Sequence, residues 1–152
     1  MQRIFIKDLK DHVGQEVSVS GWVSIVRDQG KMVFFDFRDM SGTVQGVVLS
    51  DKKDLVERAK PIRSDWVVRV EGKVNKRPDK MVNEKVQNGD IELEITNIQV
   101  LNESKTSPFD VLTDTSNIDE ETRLKYRYID LRSERMQKNM RLRSEWVKKC
   151  RG

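Results

Sequence analysis

The segment Met32-Val33-Phe34-Phe35-Asp36-Phe37-Arg38 alternates between two kinds of side chain. A β-strand turns successive side chains to opposite faces of its sheet, so this alternation predicts a strand with one apolar face and one mixed face. The apolar face, expected in the core, consists of Val33, Phe35 and Phe37, and the outer face of Phe34, Asp36 and Arg38. Phe34 is thereby predicted to be an aromatic side chain on a largely polar surface.

The next segment, from Thr43 to Leu49, predicts a second strand that follows a turn at Ser41-Gly42. Its inward positions are expected to be Val44, Gly46 and Val48, which leaves Gln45 on the outer face beside Val47. Phe34 and Gln45 are therefore expected to be neighbours on one exposed surface.

An exposed aromatic ring beside an amide is typical of proteins that read unpaired RNA. The ring gives a flipped-out base a stacking platform, and the amide offers a donor and an acceptor to the edge of that base. For an isolated pair, a Phe34 that covers a small satellite core and a solvated Gln45 would be the commoner explanation. The flanking Gly21-Trp22-Val23, Arg27-Asp28 and Arg38-Asp39 favour the RNA-reading interpretation instead.

Three further strands and one helix are predicted around these two strands. Val17, Val19 and Val23 mark a first strand, with a bulge at Gly21 that turns Trp22 toward the core. Residues 51–60 change period and predict a short helix with an acidic cap, ending before Pro61. A fourth strand has the inward residues Trp66, Val68, Val70, Gly72 and Val74, and a fifth buries Ile91, Leu93 and Ile95.

Three strands, a helix and two more strands in about a hundred residues predict an all-β fold, the five-stranded Greek-key barrel of the OB-fold. The short helix lies between strands 3 and 4. Residues 1–101 are expected to form this domain, and residues 102–118 read as a linker rich in Ser, Thr, Asp and Asn. Residues 119–152 are expected to form a hinge and helices, with an apolar stripe at Met136, Met140, Leu142 and Val147.

Composition and charge exclude several classes of function. The net charge of +4 and the pI of about 9.2 suit a polyanionic partner. A single cysteine, Cys150, and a single histidine, His12, exclude an intrachain disulfide and a Cys/His metal cluster, so no metal site is expected. His12 has no recognisable catalytic partner. The charged N-terminus and the lack of a long apolar run predict a cytoplasmic chain without a signal peptide or membrane contact.

The residues quoted from Gly21 to Gln45, followed by Glu121-Thr122-Arg123-Leu124-Lys125-Tyr126-Arg127-Tyr128-Ile129-Asp130-Leu131-Arg132, resemble the N-terminal part of a bacterial-type aspartyl-tRNA synthetase, a class II enzyme. The first motif is similar to the lysyl and asparaginyl enzymes as well, whereas the second favours the aspartyl branch. The resemblance covers essentially the whole chain. It implies that residues 119–152 are the hinge and the first helix of a truncated catalytic domain.

The resemblance also implies roles for particular residues. Phe34 matches the phenylalanine that stacks on the middle anticodon base, and Gln45 matches the glutamine that pairs with the edge of that base. Arg27 matches an arginine that contacts the anticodon loop, and two further anticodon-loop positions match Asn83 and Glu92. The chain departs from many relatives at two positions, with Ile25 in place of a second arginine and Val47 in place of a second aromatic residue.

The partner implied by the resemblance is the anticodon loop of a tRNA, expected to be tRNA-Asp, and the parent enzyme is expected to be a homodimer. The choice between aspartate and asparagine tRNA is expected to depend on positions such as Gln29. ATP and magnesium would bind in the missing catalytic domain, so no cofactor and no catalytic residue are expected within this chain. We therefore expect it to form no aminoacyl-tRNA.

Other charged residues are weaker candidates. Lys76, Arg77, Lys80 and Lys85 form a basic loop that would either contact phosphates or remain solvated. Asp36 and Glu92 are expected to orient arginines or to reject wrong bases. Arg123 and Arg127, with Lys125 and Arg132, would contact tRNA or pack in the hinge.

Three functional interpretations remain open at this stage. The preferred one is the anticodon-binding module of an aspartate-tRNA ligase. The second is the same module of a lysyl or asparaginyl relative, or a free-standing protein that binds single-stranded RNA. The third is a protein-interaction domain, which is disfavoured because such a face is usually apolar at its centre.

Overall fold

A computed structural model describes residues 3–84 and 86–152, so Met1, Gln2 and Lys85 of the predicted basic loop lie outside the described residues. The chain divides into two compact units, Met1–Lys105 and Thr106–Gly152. Each unit is described by itself.

The first unit is a closed five-stranded β-barrel. The strands are β1 (Glu16–Asp28), β2 (Val33–Arg38), β3 (Thr43–Val48), β4 (Val67–Lys76) and β5 (Ile91–Asn102), in the order β1-β2-β3-β5-β4. Neighbouring strands are antiparallel except for the parallel pair β3–β5, and β4 pairs with β1 to close the barrel. This arrangement, with the helix α1 (Lys53–Ala59) between β3 and β4, confirms the predicted OB-fold.

The register predicted for β2 is confirmed. Val33 and Phe35 are fully buried and Phe37 is 1% exposed, whereas Phe34, Asp36 and Arg38 are half-buried on the outer face. The rings of Phe35 and Phe37 are stacked, with their centroids 5.4 Å apart. These aromatic side chains form the centre of a core that also takes Val44 and Val48 from β3.

The predicted bulge at Gly21 is wrong. Gly21 pairs regularly with Val68 of β4, and the irregularity in β1 lies two residues later, between Val23 and Ile25. Glycine is needed at position 21 for another reason, because a Cβ atom there would collide with the backbone carbonyl of Arg38. Without a bulge, Trp22 stays half-buried, and it does not join the core as expected.

The helix α1 begins differently from the prediction. Its N-cap residue is Lys52, with no capping hydrogen bond from a side chain, so the predicted acidic cap is wrong. The Lys52 ammonium group instead donates to Glu94 Oε1 at 3.0 Å and to the carbonyl of Ile95 at 3.2 Å. The start of α1 is thus attached to β5 by a tertiary contact and has no side-chain cap. Trp66, expected to be inward, is half-buried against the core and donates from Nε1 to the carbonyl of Ser104.

Two buried polar side chains hold the N-terminal segment and the β2–β3 turn together. Asp39 Oδ2 accepts from the Ile6 backbone nitrogen at 3.0 Å, at the start of the 3-10 helix Ile6–His12. Asp39 Oδ1 accepts from the backbone nitrogens of Ser41 and Gly42, at 2.7 and 3.1 Å. Asn88, in the left-handed region with φ of 57°, donates to the carbonyls of Ile6 and Thr43.

The second unit is helical. After a 3-10 turn at Thr115–Asn117 come α2 (Glu120–Lys125), α3 (Arg127–Asp130) and α4 (Glu134–Arg151). The helix predicted to begin at residue 119 is interrupted at Tyr126, whose backbone lies outside the helical region. The buried Asp130 accepts from Thr115 and from Arg127 Nη1, at 3.2 and 2.8 Å.

Side chains of α4 are exposed or half-buried, including the predicted stripe at Met136, Met140, Leu142 and Val147. No helix within the described parts of the chain is long and apolar enough to cross a membrane.

Replacement of Phe35 and Phe34 by alanine tests the register of β2. Phe35→Ala is expected to lower the free energy of unfolding by about 3–5 kcal/mol, because it opens a cavity among fully buried side chains. Phe34→Ala is expected to cost only about 1 kcal/mol, because its ring is half-buried on the outer face. Denaturant unfolding of both variants provides the measurement. The opposite order would mean that β2 is displaced by one residue.

Candidate nucleic-acid interface

The outer face of β1, β2 and β3 brings three of the predicted site residues together. Phe34 lies opposite Arg27 of β1 on one side and opposite Val47 of β3 on the other. Gln45 lies opposite Asp36, two residues along β2 from Phe34. Phe34 and Gln45 are therefore diagonal neighbours across the sheet, as the sequence predicted.

Arg27 is held by a carboxylate on the neighbouring strand. Its Nη1 donates to Asp36 Oδ2 at 3.0 Å and its Nη2 to Asp36 Oδ1 at 2.8 Å, which is the bidentate geometry of a guanidinium on a carboxylate. Nη2 also donates to Gln45 Oε1 at 3.5 Å. Arg27 of β1 thus contacts both Asp36 of β2 and Gln45 of β3. We call these three side chains, with Arg27 at their centre, the Arg27–Asp36–Gln45 relay.

Ile25 and Val47, the two positions at which the sequence analysis expected a departure from the family, have different surroundings. Val47 is only 4% exposed, so it is part of the packed base of the outer face and not a second stacking surface. Ile25, opposite Asp36 on β1, is 41% exposed. Among the described residues of β2 and β3, the aromatic side chain on the outer face is therefore Phe34.

A second ion pair, between Lys52 and Glu94, lies beside Val47 on the β5 side of the sheet. Glu94 of β5 lies opposite Val47, and its carboxylate accepts from Lys52 Nζ at Oε1 and from Asn75 Nδ2 at Oε2, both at 3.0 Å. The hydrogen bond from Lys52, helped by that from Asn75, lowers the pKa of Glu94 below its ordinary value of 4.5 despite partial burial. Glu94 therefore contributes most to stability above that value, and loses its contribution as the pH falls through the lowered pKa.

Arg77 and Glu92, predicted in separate roles, lie together. Arg77 Nε is 3.6 Å from Glu92 Oε2, and Arg77 Nη1 donates to the carbonyl of Gly89 at 3.4 Å. The side chain of Arg77 is only 11% exposed. Because it is largely buried against Glu92 and Gly89, Arg77 is better placed to stabilise the β4–β5 loop than to contact an RNA phosphate.

The other loop residues lie at the surface. Lys76 ends β4 with an exposed side chain, and the side chain of Asn83 is exposed in the β4–β5 loop. Lys80 is exposed in the short 3-10 turn Asp79–Met81. The nearby Asp90 accepts from Lys10 Nζ at 2.8 Å, and this hydrogen bond lowers the pKa of Asp90. The loop thus has exposed cations, and residues at its two ends form ion pairs with residues outside it.

Arg123 and Arg127, in the second unit, both have local structural contacts. Arg123 Nε donates to the carbonyl of Ile118 at 3.1 Å, and Arg127 forms an ion pair with the buried Asp130. Both contacts lie within the hinge region predicted from the sequence.

Other chemistry is sparse at the described positions. His12 is at the surface, with Nδ1 2.9 Å from Gln15 Oε1, and Cys150 is exposed. Residues 3–84 and 86–152 contain no group of three or more His, Cys, Asp or Glu side chains that could hold a metal ion.

Sequence reasoning missed the contact of Lys52 with Glu94, and it missed the role of Asp39 in the turn that it predicted at Ser41-Gly42. The first joins residues far apart in the chain and gives no local signal. The second had a signal, because an aspartate with Ser and Gly two and three residues later is typical of a turn in which the side chain accepts from those backbone nitrogens.

Comparison with known proteins places the first unit in a family. A family model of the tRNA anticodon type, described as an OB-fold nucleic acid binding domain, matches residues 17–101. The chain is 43% identical over 140 residues to an aspartate–tRNA(Asp/Asn) ligase of Halothermothrix orenii, covering 91% of this chain and 24% of that protein. It is 40% identical over 141 residues to an aspartate–tRNA ligase of Staphylococcus aureus, with coverages of 91% and 24%.

A solved structure has the same fold. The aspartyl tRNA synthetase of Entamoeba histolytica superposes with a TM-score of 0.84 at 21% identity, covering 95% of this chain and 35% of that one. The chain spans about a quarter of the length of the curated relatives that it matches.

Substitution of the adjacent Lys76 and Arg77 separates electrostatic attraction from structural support. Lys76→Ala is expected to weaken the binding of all RNA loops alike, and to reduce the salt slope of affinity by up to about one unit, because an exposed lysine contributes charge only. Arg77→Ala is expected to lower the free energy of unfolding by about 1–3 kcal/mol, because it leaves the carbonyl of Gly89 and the partly buried carboxylate of Glu92 without this partner. Salt titrations of RNA binding and denaturant unfolding distinguish the two effects. Equal salt slopes for wild type and Lys76→Ala would remove Lys76 from the interface.

Proposed function

The chain belongs to the family of OB-fold nucleic acid binding domains, as an anticodon-binding domain that matches the N-terminal region of aspartyl-tRNA synthetases, and we propose that its outer barrel face reads the anticodon loop of tRNA-Asp. One observation carries this proposal: Arg27, Phe34 and Gln45 lie side by side on three neighbouring strands. That face offers a stacking ring, an amide and a guanidinium within the span of a nucleotide or two.

Phe34 would supply the part of the affinity that is common to all bases. An unpaired base that stacks on an aromatic ring gains about 1–3 kcal/mol, and the gain hardly depends on which base it is. Sequence discrimination must therefore come from groups that contact the base edge, and Gln45 is the diagonal neighbour of the ring. Glu92 and Asn83 would contact flanking parts of the loop.

A protein partner for the same face is disfavoured by its composition. The centre of a protein interface is depleted of charged residues, whereas here an Arg–Asp ion pair lies directly beside Phe34. A lysyl or asparaginyl relative would present a similar ring and amide. The anticodon bases that the chain prefers would therefore distinguish these relatives from an aspartyl-type domain. Gln29, exposed at the tip of the β1–β2 hairpin, would influence the choice between aspartate and asparagine tRNA.

The longer protein is proposed by analogy with the relatives, of which this chain spans 24%. We propose that it attaches aspartate to tRNA with ATP and magnesium bound in a separate catalytic domain, that it works as a homodimer, and that it is cytoplasmic. The domain described here would then supply tRNA recognition.

Variation of each anticodon base in an isolated stem-loop tests whether Gln45 reads the middle base. It also tests whether the domain is of the aspartyl, asparaginyl or lysyl type. We expect the wild-type chain to prefer one base at the middle position. Gln45→Ala should remove that preference, weakening the preferred loop by about 1–3 kcal/mol and the other loops very little, because a lost base contact removes only what the right base had gained. Fluorescence anisotropy titrations provide the dissociation constants.

Phe34→Ala is the matched comparison for Gln45→Ala. It should weaken every loop by about the same 1–3 kcal/mol, since stacking is tolerant of sequence. A chain that binds all loops equally, with or without Gln45, would contradict the anticodon-reading proposal.

We also expect the chain to bind tRNA without charging it. Incubation with ATP, aspartate and tRNA should give neither pyrophosphate exchange nor aspartyl-tRNA, because the proposed site reads RNA and contains no group placed to activate a carboxylate. Exchange activity that is lost in a Gln45 or His12 variant would contradict this expectation.

A further inference from the structure

We propose that Asp36 is a positioning residue, which fixes the orientation of the Gln45 amide through Arg27. This proposal rests on the proposed function, because it concerns how Gln45 discriminates between bases. In this proposal the relay holds the Gln45 amide in a single orientation. The NH2 donor and the carbonyl acceptor then always occupy the same two positions toward the RNA base.

The first step is the attachment of Arg27 to Asp36. Two guanidinium nitrogens donate to two different carboxylate oxygens, at 3.0 and 2.8 Å. A planar guanidinium bound at two points on a neighbouring strand cannot rotate freely, and its remaining hydrogens therefore point in fixed directions. The side chain of Asp36 is 27% exposed, so the pair is partly shielded from water.

The second step is the contact between Arg27 and Gln45. Arg27 Nη2 lies 3.5 Å from Gln45 Oε1, a contact that is longer than an ordinary N–H···O hydrogen bond and therefore orients the amide mainly through the positive charge of the guanidinium. A guanidinium has donors and no acceptor, so it favours the oxygen of the amide and repels the NH2 group. The amide of a glutamine is assigned from its hydrogen bonds, and the contact with a guanidinium favours the orientation in which Oε1 faces Arg27 and the NH2 group is turned away.

The third step concerns the bases. Uracil and cytosine have the same size and the same stacking surface, but their edges differ in order: uracil presents a carbonyl acceptor beside a ring N–H donor, and cytosine presents an amino donor beside a ring nitrogen acceptor. A glutamine amide that rotates freely can match either edge by exchanging its oxygen and nitrogen. An amide held by Arg27 matches one order and opposes the other.

A simpler role for Asp36 would be purely electrostatic. A carboxylate on an RNA-binding surface repels phosphates, and its removal would strengthen the binding of every loop by the same factor. The positioning role predicts a different result, since it changes the ratio between the uracil and cytosine loops. That ratio is therefore the measurement that separates the two roles.

The test uses the whole chain and two anticodon stem-loops that differ only by uracil or cytosine at the middle position. For Asp36→Asn we expect the ratio of their dissociation constants to move toward one by about threefold to tenfold, the effect of one hydrogen bond. Glu71→Gln, which removes a carboxylate from β4 outside the relay, is the control for the loss of charge and should leave the ratio unchanged.

Two further variants make the outcome decisive. Arg27→Lys keeps the charge but loses the planar fork, so it should reduce the ratio as Asp36→Asn does, and it decides the matter if Asp36→Asn fails to fold. In the Gln45→Ala background, Asp36→Asn should change the ratio no further, because the group that it positions is absent.

The possible results separate this proposal from the proposed function. If the wild-type chain does not distinguish the two loops, anticodon reading by Gln45 is wrong. If the wild-type chain distinguishes them, and either Asp36→Asn or Arg27→Lys keeps the full ratio, anticodon reading stands and the positioning role of Asp36 is wrong. A change of ratio by Asp36→Asn that persists without Gln45 would likewise overturn the positioning role.

Discussion

The alternation of β2 between the core and the outer face is the constraint on which the rest of the structure depends. Because Val33, Phe35 and Phe37 fill the barrel, Phe34 and Asp36 have to face outward, where the neighbouring strands add Arg27 and Gln45. A displacement of one residue would bury a carboxylate and expose two phenylalanines in exchange for one, at a cost comparable with the whole net stability of a small domain. The core thus determines the position of each outward side chain.

Three local features hold this register in place. The turn after β2 is fixed by Asp39, which accepts from Ser41 and Gly42 and ties the turn to the backbone of Ile6. Gly21 allows β1 to approach the carbonyl of Arg38, and Gly46 leaves room for the ring of Phe37. Each feature acts at one end or one side of β2, so together they oppose sliding in either direction.

The sequence predicts the barrel and the central site residues because both follow from a period of two, which is a local property. The inward residues of β2 and β5 and the diagonal placement of Phe34 and Gln45 needed no knowledge of distant contacts. The cap of α1 and the surroundings of Arg77 could not be predicted in this way. Lys52 bonds to Glu94 and Arg77 lies against Glu92, and such choices of partner depend on which strands the barrel brings together.

The charges of the outer face favour discrimination over adhesion. Arg27, Lys52 and Arg77 each pair with a carboxylate on a neighbouring strand, so these cations are already compensated before any RNA arrives. Basic and acidic residues are almost equal in number within residues 1–105, so the barrel has hardly any cationic excess, whereas basic residues clearly outnumber acidic ones in α4. Counterion release, which drives non-specific binding, is therefore weak at the barrel face. Binding there has to come from stacking on Phe34 and from hydrogen bonds to base edges, and these are the contacts that distinguish one loop from another.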